Sequence, residues 1–197
     1  MDGTSDAAMI AADRDRAASE PLTTRVSRRT VYRNRWMTIV EDSTRLPDGS
    51  DGLYGIVTMR PYALVIPVLR DESVLLVDQF RYPTGHFSLE LPQGTAERAD
   101  LSPAETAAAE LAEETGAVAA ELVPFGTFHP AVGYSTQECF AFVARDLTFG
   151  ASRPEPSELG IRTYAVAFDE LDRMLDSGFV TDLATVAAWG LFTLRYR

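Results

Sequence analysis

The sequence predicts a mixed α/β (α+β) fold, because strand-like and helix-like patterns are interspersed along one chain of 197 residues. Short apolar runs, alternating or continuous, recur on both sides of the middle of the chain and indicate strands. One helix with strong start and stop signals lies between them, and two further helical segments end the chain. A hydrophobic content of 46% suits one compact domain, or a main domain with a small accessory one.

The N-terminal part combines a polar tail with strands. Residues 1–24 are rich in Ala, Asp, Arg, Ser and Thr and lack apolar periodicity, so we expect a mostly disordered tail. Strands are predicted at residues 25–33, 36–46 and 53–60. The segment 47–52, Pro-Asp-Gly-Ser-Asp-Gly, is a turn signal that predicts an antiparallel hairpin of the last two strands.

Further strands are predicted before and after the central helix. Two of them, residues 62–69 and 74–80, are expected to form a second hairpin around residues 70–73. The other predicted strands are residues 87–91, 121–128, 137–144 and 161–168. Helices are predicted at residues 169–176 and 181–195, with Gly178 between them.

The central helix has well-marked ends. Ser102, Pro103 and Glu105 form a capping-box pattern with proline at the first helical position, which predicts Ser102 as the N-cap. Gly116 stands where a left-handed C-cap residue is needed. The alanines of residues 107–109 favour the helix and are small enough for close packing on a sheet.

Three glutamates lie near the end of this helix. Glu110, Glu113 and Glu114 have the spacing i, i+3 and i+4, which places them on one face, one turn apart. Like charges so close repel each other. A divalent cation such as Mg²⁺ or Mn²⁺ reverses that penalty, because it takes carboxylate oxygens as ligands. For this spacing alone, the alternative interpretation is a solvated acidic helix face.

This segment resembles the Nudix box, G-x5-E-x7-R-E-U-x-E-E-x-G-U, in which U is a bulky apolar residue. The second half of the pattern matches through Glu110, Leu111, Glu113, Glu114 and Gly116. The first half departs from it, since the first glutamate is replaced by Leu101, the arginine is replaced by Ala109, and the glycine lies one residue further from the helix, at Gly94.

The two replacements in the box concern residues that pair with each other in typical members. Losing both partners is milder than losing one, because no uncompensated charge is left behind. We therefore interpret Leu101 and Ala109 as a repacked support for the acidic turn. An inactive descendant of the family is the alternative.

The resemblance extends over residues 30–195. The segments 78–83, 90–94, 129–135 and 140–147 are similar to the ADP-ribose pyrophosphatase branch of the Nudix superfamily, which hydrolyses nucleoside diphosphate sugars. This resemblance implies a Nudix αβα sandwich with a mixed sheet, preceded by a small antiparallel N-terminal sheet. It also implies that residues 25–60 form a dimerisation element and residues 61–197 the catalytic domain.

The same resemblance suggests roles for the acidic residues. Glu110 and Glu114 would be metal ligands, with a further ligand from the carbonyl of Gln93. Glu113 would bind a further ion or organise water bound to the metal. A general base is expected on the loop of residues 150–160, where Glu158 matches the expected place better than Glu155.

Three residues are candidates for contact with substrate. Arg81 could grip two phosphate oxygens at once, although an exposed strand-end arginine is an equal alternative. Glu90 could face the substrate cleft or occupy an ordinary outward strand position. Tyr134 could stack on a base or only pack its loop. His86 and His129 show no zinc-like clustering.

Composition excludes several classes of protein. A net charge of -11 argues against nucleic acid as a partner. No apolar run is as long as a membrane span, and the N-terminus lacks the core of a signal peptide. The single cysteine, Cys139, lies in an apolar strand pattern, which indicates a buried residue and not a nucleophile. We expect a cytoplasmic protein.

The leading hypothesis is a Mg²⁺-dependent hydrolase, with Mn²⁺ as a substitute, that cleaves the pyrophosphate bond of a nucleoside diphosphate sugar. ADP-ribose, giving AMP and ribose 5-phosphate, is the first substrate to test. Two alternatives remain. One is a non-catalytic Nudix-like sensor of a nucleotide sugar, and the other is a hydrolase of another diphosphate, such as GDP-mannose or a dinucleotide.

Overall fold

The structure is a computed structural model that describes residue 10 and residues 22–95, 100–151 and 160–197. Most of the predicted tail and the loop of residues 152–159 lie outside the described residues. Within the described part, the chain forms ten strands and three helices. They are β1 Thr24–Arg33, β2 Met37–Arg45, β3 Asp51–Met59, β4 Tyr62–Pro67, β5 Ser73–Arg81, β6 His86–Glu90, β7 Gln93–Gly94, α1 Pro103–Thr115, β8 Ala117–Phe128, β9 Cys139–Phe149, β10 Arg162–Ala167, α2 Phe168–Asp176 and α3 Leu183–Tyr196.

The chain divides into two units. The first comprises the residues up to Met59 together with Gly133–Thr136. Its sheet has the order β1-β2-β3, and both pairings are antiparallel. The predicted β2–β3 hairpin is confirmed, with Arg45 opposite Asp51 beside the turn. All ten residues of β1 are exposed, and this strand lies at the edge of the sheet.

The second unit comprises Arg60–Val132 and Gln137–Arg197 and contains two sheets. One has the order β7-β4-β9-β8, in which β4 and β9 are parallel and the other neighbours are antiparallel. The other has the order β10-β5-β6 and is antiparallel. The predicted mixed sheet is therefore present.

The predicted hairpin of residues 62–69 and 74–80 is wrong. Their strands, β4 and β5, lie in different sheets and meet only near their connection, where Val68 bridges Val74 and the Leu69 N–H donates to the Ser73 carbonyl at 2.8 Å. Each strand has other neighbours on both sides. Because both strands are almost entirely buried, their apolar pattern did not specify which sheet would take them.

The strands of the second unit are covered on both faces. Along β4, Ala63 and Val65 pack with Ala107 and Leu111 of α1 in one hydrophobic cluster. The alternate residues of β4 pack on the other side with α2 and α3; this larger cluster includes Leu64, Ile66, Leu171, Ala188, Trp189 and Phe192. The period of two along the strand thus separates two cores, and the αβα sandwich is confirmed.

The ends of the helices agree with their sequence signals. Ser102 accepts a hydrogen bond from the Glu105 N–H and donates its own N–H to the Glu105 carboxylate, which completes the capping box. Gly116 ends α1 in the left-handed conformation, with a φ of 71°. In α3 the N-cap is Asp182. No helix in the described part of the chain is long and apolar enough to cross a membrane.

Candidate active site

The acidic end of α1 is buried on one side. Glu110 is 8% exposed and Glu114 is 1% exposed, whereas Glu113 is half-buried. Leu111 and Ala107 anchor this helix to the sheet, and Gly116 terminates it directly after the glutamates. The fold therefore buries two carboxylates, one helical turn apart, between the helix and the strands.

Strand β7 supplies the backbone that faces these carboxylates. The Gln93 N–H donates to Oε2 of Glu114 at 3.2 Å. Gly94 approaches Glu110 so closely that a Cβ atom on this residue would lie 2.4 Å from Glu110 Oε2. Any larger residue at position 94 would require that carboxylate to move, so residues 93 and 94 pack closely against the two glutamates.

Arg81 of β5 and Glu90 of β6 form an ion pair within the β5–β6 hairpin, although the residues opposite them in the register are His86 and Val77. Nε and Nη2 of Arg81 donate to the two carboxylate oxygens of Glu90 at 2.9 and 2.5 Å. The Glu90 carboxylate is buried, whereas the Arg81 side chain is 39% exposed. Hydrogen bonding with Glu90 raises the pKa of Arg81, and the charges of Glu114 and Asp182 add to this effect. Two charge-assisted hydrogen bonds to Glu90 thus orient the guanidinium, which lies near the negative charges of Glu114 and Asp182.

The side chain of Gln93 joins this pair to the last helix. Its Nε2 donates to Glu90 at 2.8 Å and to Asp182 at 2.9 Å. Asp182 Oδ2 also caps α3 by accepting from the Thr185 N–H at 2.8 Å. The Leu91 N–H donates to the Thr185 hydroxyl at 2.9 Å. Arg81, Glu114 and residues 182–185 thus meet around residues 90–93.

A cavity of about 500 Å³ opens at this meeting point. Most of its lining residues have hydroxyl, amide or carboxylate side chains, and Arg81 contributes a guanidinium. The described lining residues are Tyr62, Arg81, Pro83, Thr84, His86, Ser88, Glu90, Gln93, Gly94, Thr95, Gln137, Thr181, Asp182 and Leu183. Such a lining suits a polar ligand that carries both hydroxyl and anionic groups.

One wall of the cavity includes Tyr62, which contacts Cys139. Burial raises the pKa of the Tyr62 hydroxyl, and interaction with Cys139 adds to the shift. Burial raises the pKa of Cys139 to about 11, and the residue is fully buried. A thiol with this pKa is almost entirely protonated near neutral pH, which agrees with the predicted structural role of Cys139.

The chemistry of the donor set fits a hard divalent cation. Among the described residues, no three side chains of His, Cys, Asp or Glu are grouped to hold a metal ion. Two carboxylates, Glu110 and Glu114, do face the backbone of β7. This is the kind of set that Mg²⁺ uses, since it keeps several waters and takes one or two carboxylates together with substrate phosphates.

The structure brings most of the predicted site residues into one region of the second unit. Arg81, Glu90 and Gln93 line the cavity, and Gln93 also contacts Glu114. Tyr134 belongs to the first unit, where its carbonyl accepts from the Val57 N–H at 2.7 Å and its side chain is 61% exposed. The predicted base Glu158 and its alternative Glu155 lie outside the described residues.

Sequence reasoning missed the side chains of Asp182, Tyr62 and Gln93. The N-cap role of Asp182 could have been predicted, because aspartate before an apolar helix is a common N-cap. Nothing local predicts its hydrogen bond with Gln93, which lies 89 residues away in sequence.

A mixed sheet between helices, with a glutamate-bearing helix end beside a cavity, places the second unit in the αβα sandwich class. The chain belongs to the Nudix family of hydrolases, since the family model described as the NUDIX domain matches residues 58–188. Residues 23–57 match a second model, the nucleoside diphosphate sugar hydrolase N-terminal domain.

Relatives extend over most of the chain. An ADP-ribose pyrophosphatase of Bacillus subtilis (strain 168) is 24% identical over 164 residues, covering 83% of this chain and 88% of the relative. An ADP-sugar pyrophosphatase of Mus musculus is 38% identical over 98 residues, covering 47% of this chain and 44% of the relative. The crystal structure of an ADP compounds hydrolase superposes with a TM-score of 0.76 at 22% identity, covering 87% of this chain and 92% of that chain.

Proposed function

We propose that this protein hydrolyses the pyrophosphate bond of a nucleoside diphosphate sugar with the help of Mg²⁺, for which Mn²⁺ can substitute. ADP-ribose, cleaved to AMP and ribose 5-phosphate, is the first candidate, in keeping with the activities for which the Bacillus and mouse relatives are named. The observation that carries the proposal is the burial of Glu110 and Glu114 against Gln93 and Gly94, beside a cavity that contains Arg81.

The metal-binding groups in this proposal are the carboxylates of Glu110 and Glu114 and the carbonyl of Gln93. When bound, the cation neutralises phosphate oxygens that would otherwise repel a nucleophile. Glu113, a half-buried residue of the same turn, takes the role of binding a further ion or organising water bound to the metal. Glu158 takes the role of general base, with Glu155 as the alternative.

Arg81 is the proposed contact to phosphate or ribose. Its Nε and Nη2 are used by Glu90, which fixes the plane of the guanidinium and directs its remaining donors. Glu90 then acts chiefly on Arg81, although it also borders the cavity. Tyr134 is proposed as a contact to the base.

We further propose that residues 25–60 form a dimerisation element and residues 61–197 the catalytic domain. The exposure of all ten residues of β1, an edge strand, supports a partner for that sheet. A cytoplasmic location remains a prediction.

The experiment that tests the proposal is a substrate panel with the full chain. Monophosphate release would be measured with ADP-ribose, GDP-mannose and a dinucleotide, with Mg²⁺, with Mn²⁺ and with a chelator. We expect turnover of ADP-ribose that requires the metal. Absence of turnover with every substrate and metal, together with micromolar binding, would favour the non-catalytic sensor. A preference for GDP-mannose would replace ADP-ribose as the assigned substrate.

A further inference from the structure

The side chain of Gln93 has no part in the function proposed above, which uses only its carbonyl. Its carboxamide lies between two carboxylates, those of Glu90 and Asp182, and donates to both from Nε2. An amide nitrogen has two hydrogens, so each carboxylate receives one of them. The flipped amide would place Oε1 against two negative groups, and this fixes the orientation of the side chain.

Asp182 connects this amide to the start of α3. The same oxygen, Oδ2, accepts from Gln93 and from the Thr185 N–H. Close by, the Leu91 N–H donates to the fully buried Thr185 hydroxyl. Two hydrogen bonds, from the Gln93 side chain and from the Leu91 N–H, therefore connect residues 91–93 with the start of α3.

Gln93 also contacts both the proposed metal ligand Glu114 and the Glu90–Arg81 ion pair. Its main-chain N–H donates to Glu114, a proposed metal ligand. Its side chain donates to Glu90, which holds Arg81 by two hydrogen bonds. Without the amide, Glu90 and Asp182 would face each other without intervening donors, and Arg81 would be drawn toward both.

We propose that Gln93 is a positioning residue, and that its bonds to Asp182 and Glu90 hold Arg81 and Glu114 in place for substrate and metal. This inference rests on the proposed function for the identity of the substrate. It assigns a role to α3, a helix that carries none of the predicted catalytic residues.

Two variants each remove the hydrogen bond between Gln93 and Asp182, one by changing the donor and the other by changing the acceptor. Gln93→Met keeps the length and the carbonyl of residue 93 but removes both donors. Asp182→Ser keeps an N-cap oxygen for Thr185, because serine caps helices as well as aspartate does, but it is too short to reach Gln93. If one variant fails to fold, the other still tests the contact.

With the best substrate of the panel, each variant should raise KM about tenfold or more, the loss expected when a hydrogen bond to a charged group is removed. The Kd for Mn²⁺, titrated by calorimetry without nucleotide, should rise as well. A purely structural defect would lower the folded fraction and hence the maximal rate, while leaving KM and the Kd unchanged.

The double variant provides a sharper test. If both residues act through one contact, Gln93→Met combined with Asp182→Ser should raise KM no further than the stronger single variant. Additive effects would overturn the proposal, as would wild-type KM and Kd in the folded Gln93→Met protein.

One measurement does not depend on activity. The Nε–H of Arg81 donates to Glu90 and should give a slowly exchanging NMR signal, assigned by its loss in Arg81→Lys. Gln93→Met should shift this signal and accelerate its exchange, and an unchanged signal would overturn the proposal. If the wild type hydrolyses no substrate, the proposed function fails, while this measurement still decides whether Gln93 positions Arg81.

Discussion

At the scale of single residues, Gly94 shows how backbone geometry and chemistry are linked in this site. A Cβ atom at this position would lie within 2.4–2.6 Å of three atoms of the Glu110 carboxylate group. The carboxylate ends a flexible side chain, so it can move aside at small cost to stability. Its displacement would still spoil its position as a ligand, since misplacing a reacting group by about 1 Å can cost about a hundredfold in rate.

Gly94→Ala should therefore lower kcat by about tenfold to a hundredfold while the melting temperature changes little. Gly126→Ala is a matched control, because the nearest atom to its new Cβ would be 3.8 Å away. Rates and thermal unfolding would be measured for both variants. Normal activity in Gly94→Ala would show that the carboxylate of Glu110 need not stay where the structure places it.

Glu114 tests the metal-binding role itself. Glu114→Gln keeps the shape of the side chain and an oxygen that can accept from the Gln93 N–H, so the protein should fold. It removes the charge of a proposed ligand, and kcat should fall by at least about a hundredfold. Glu121→Gln, on the exposed surface of β8, serves as the control. Full activity in Glu114→Gln would refute this ligand assignment.

At the scale of elements, β1 is joined to β2 by an ion pair as well as by its ladder. Nε and Nη2 of Arg28 donate to the two carboxylate oxygens of Asp42 at 2.6 and 2.7 Å. Hydrogen bonds from Arg28 lower the pKa of Asp42 in the folded protein. A carboxyl whose folded pKa is depressed stabilises the fold above its unfolded pKa of about 3.9, and this contribution is lost as pH falls through the folded value.

Asp42→Asn should therefore be less stable than the wild type near pH 7, and the two proteins should converge as the pH falls through the lowered pKa of Asp42. Denaturant midpoints measured from pH 2 to pH 7 would show this. Glu41→Gln breaks the neighbouring, more exposed pair with Arg29 and should have a smaller effect. A constant difference between wild type and Asp42→Asn across the whole range would contradict the assignment.

Elements with local signals were predictable from the sequence. The capping box at Ser102 and the left-handed Gly116 specify both ends of α1 within the element itself, and the turn of residues 47–52 specifies the β2–β3 hairpin. The partition of β4 and β5 between two sheets was not predictable, because continuous burial on both faces removes the alternation that indicates a partner.

The candidate site likewise contains some residues that a local sequence pattern indicates and others that it does not. The spacing of Glu110 and Glu114, together with the resemblance to a family motif, indicates the acidic turn from the sequence alone. The contacts of Gln93 with Asp182 and of Leu91 with Thr185 join residues 89 and 94 positions apart. Only the folded chain brings such residues together, so no local pattern indicates them.

At the scale of the whole molecule, the long exposed edge strand calls for an explanation. Strand β1 has ten exposed residues at the edge of its sheet, and an uncovered edge of this length favours association with another chain. Val26 and Val31 are 62% and 51% exposed, and both lie at irregularities of the β1–β2 ladder. Their side chains can therefore be changed without breaking the regular pairing with β2.

If this sheet forms the dimer, wild-type protein should have about twice the 21.6 kDa mass of one chain by light scattering at micromolar concentration. The double variant Val26→Lys with Val31→Lys should be monomeric, because it adds positive charge to a strand already rich in arginine and removes apolar area. Val118→Lys makes the same kind of change on β8, one of the two edge strands of the mixed sheet, where Val118 is 58% exposed, and should leave the mass unaltered. A monomeric wild type, or a double variant that remains dimeric, would contradict the proposal that this sheet forms the dimer interface.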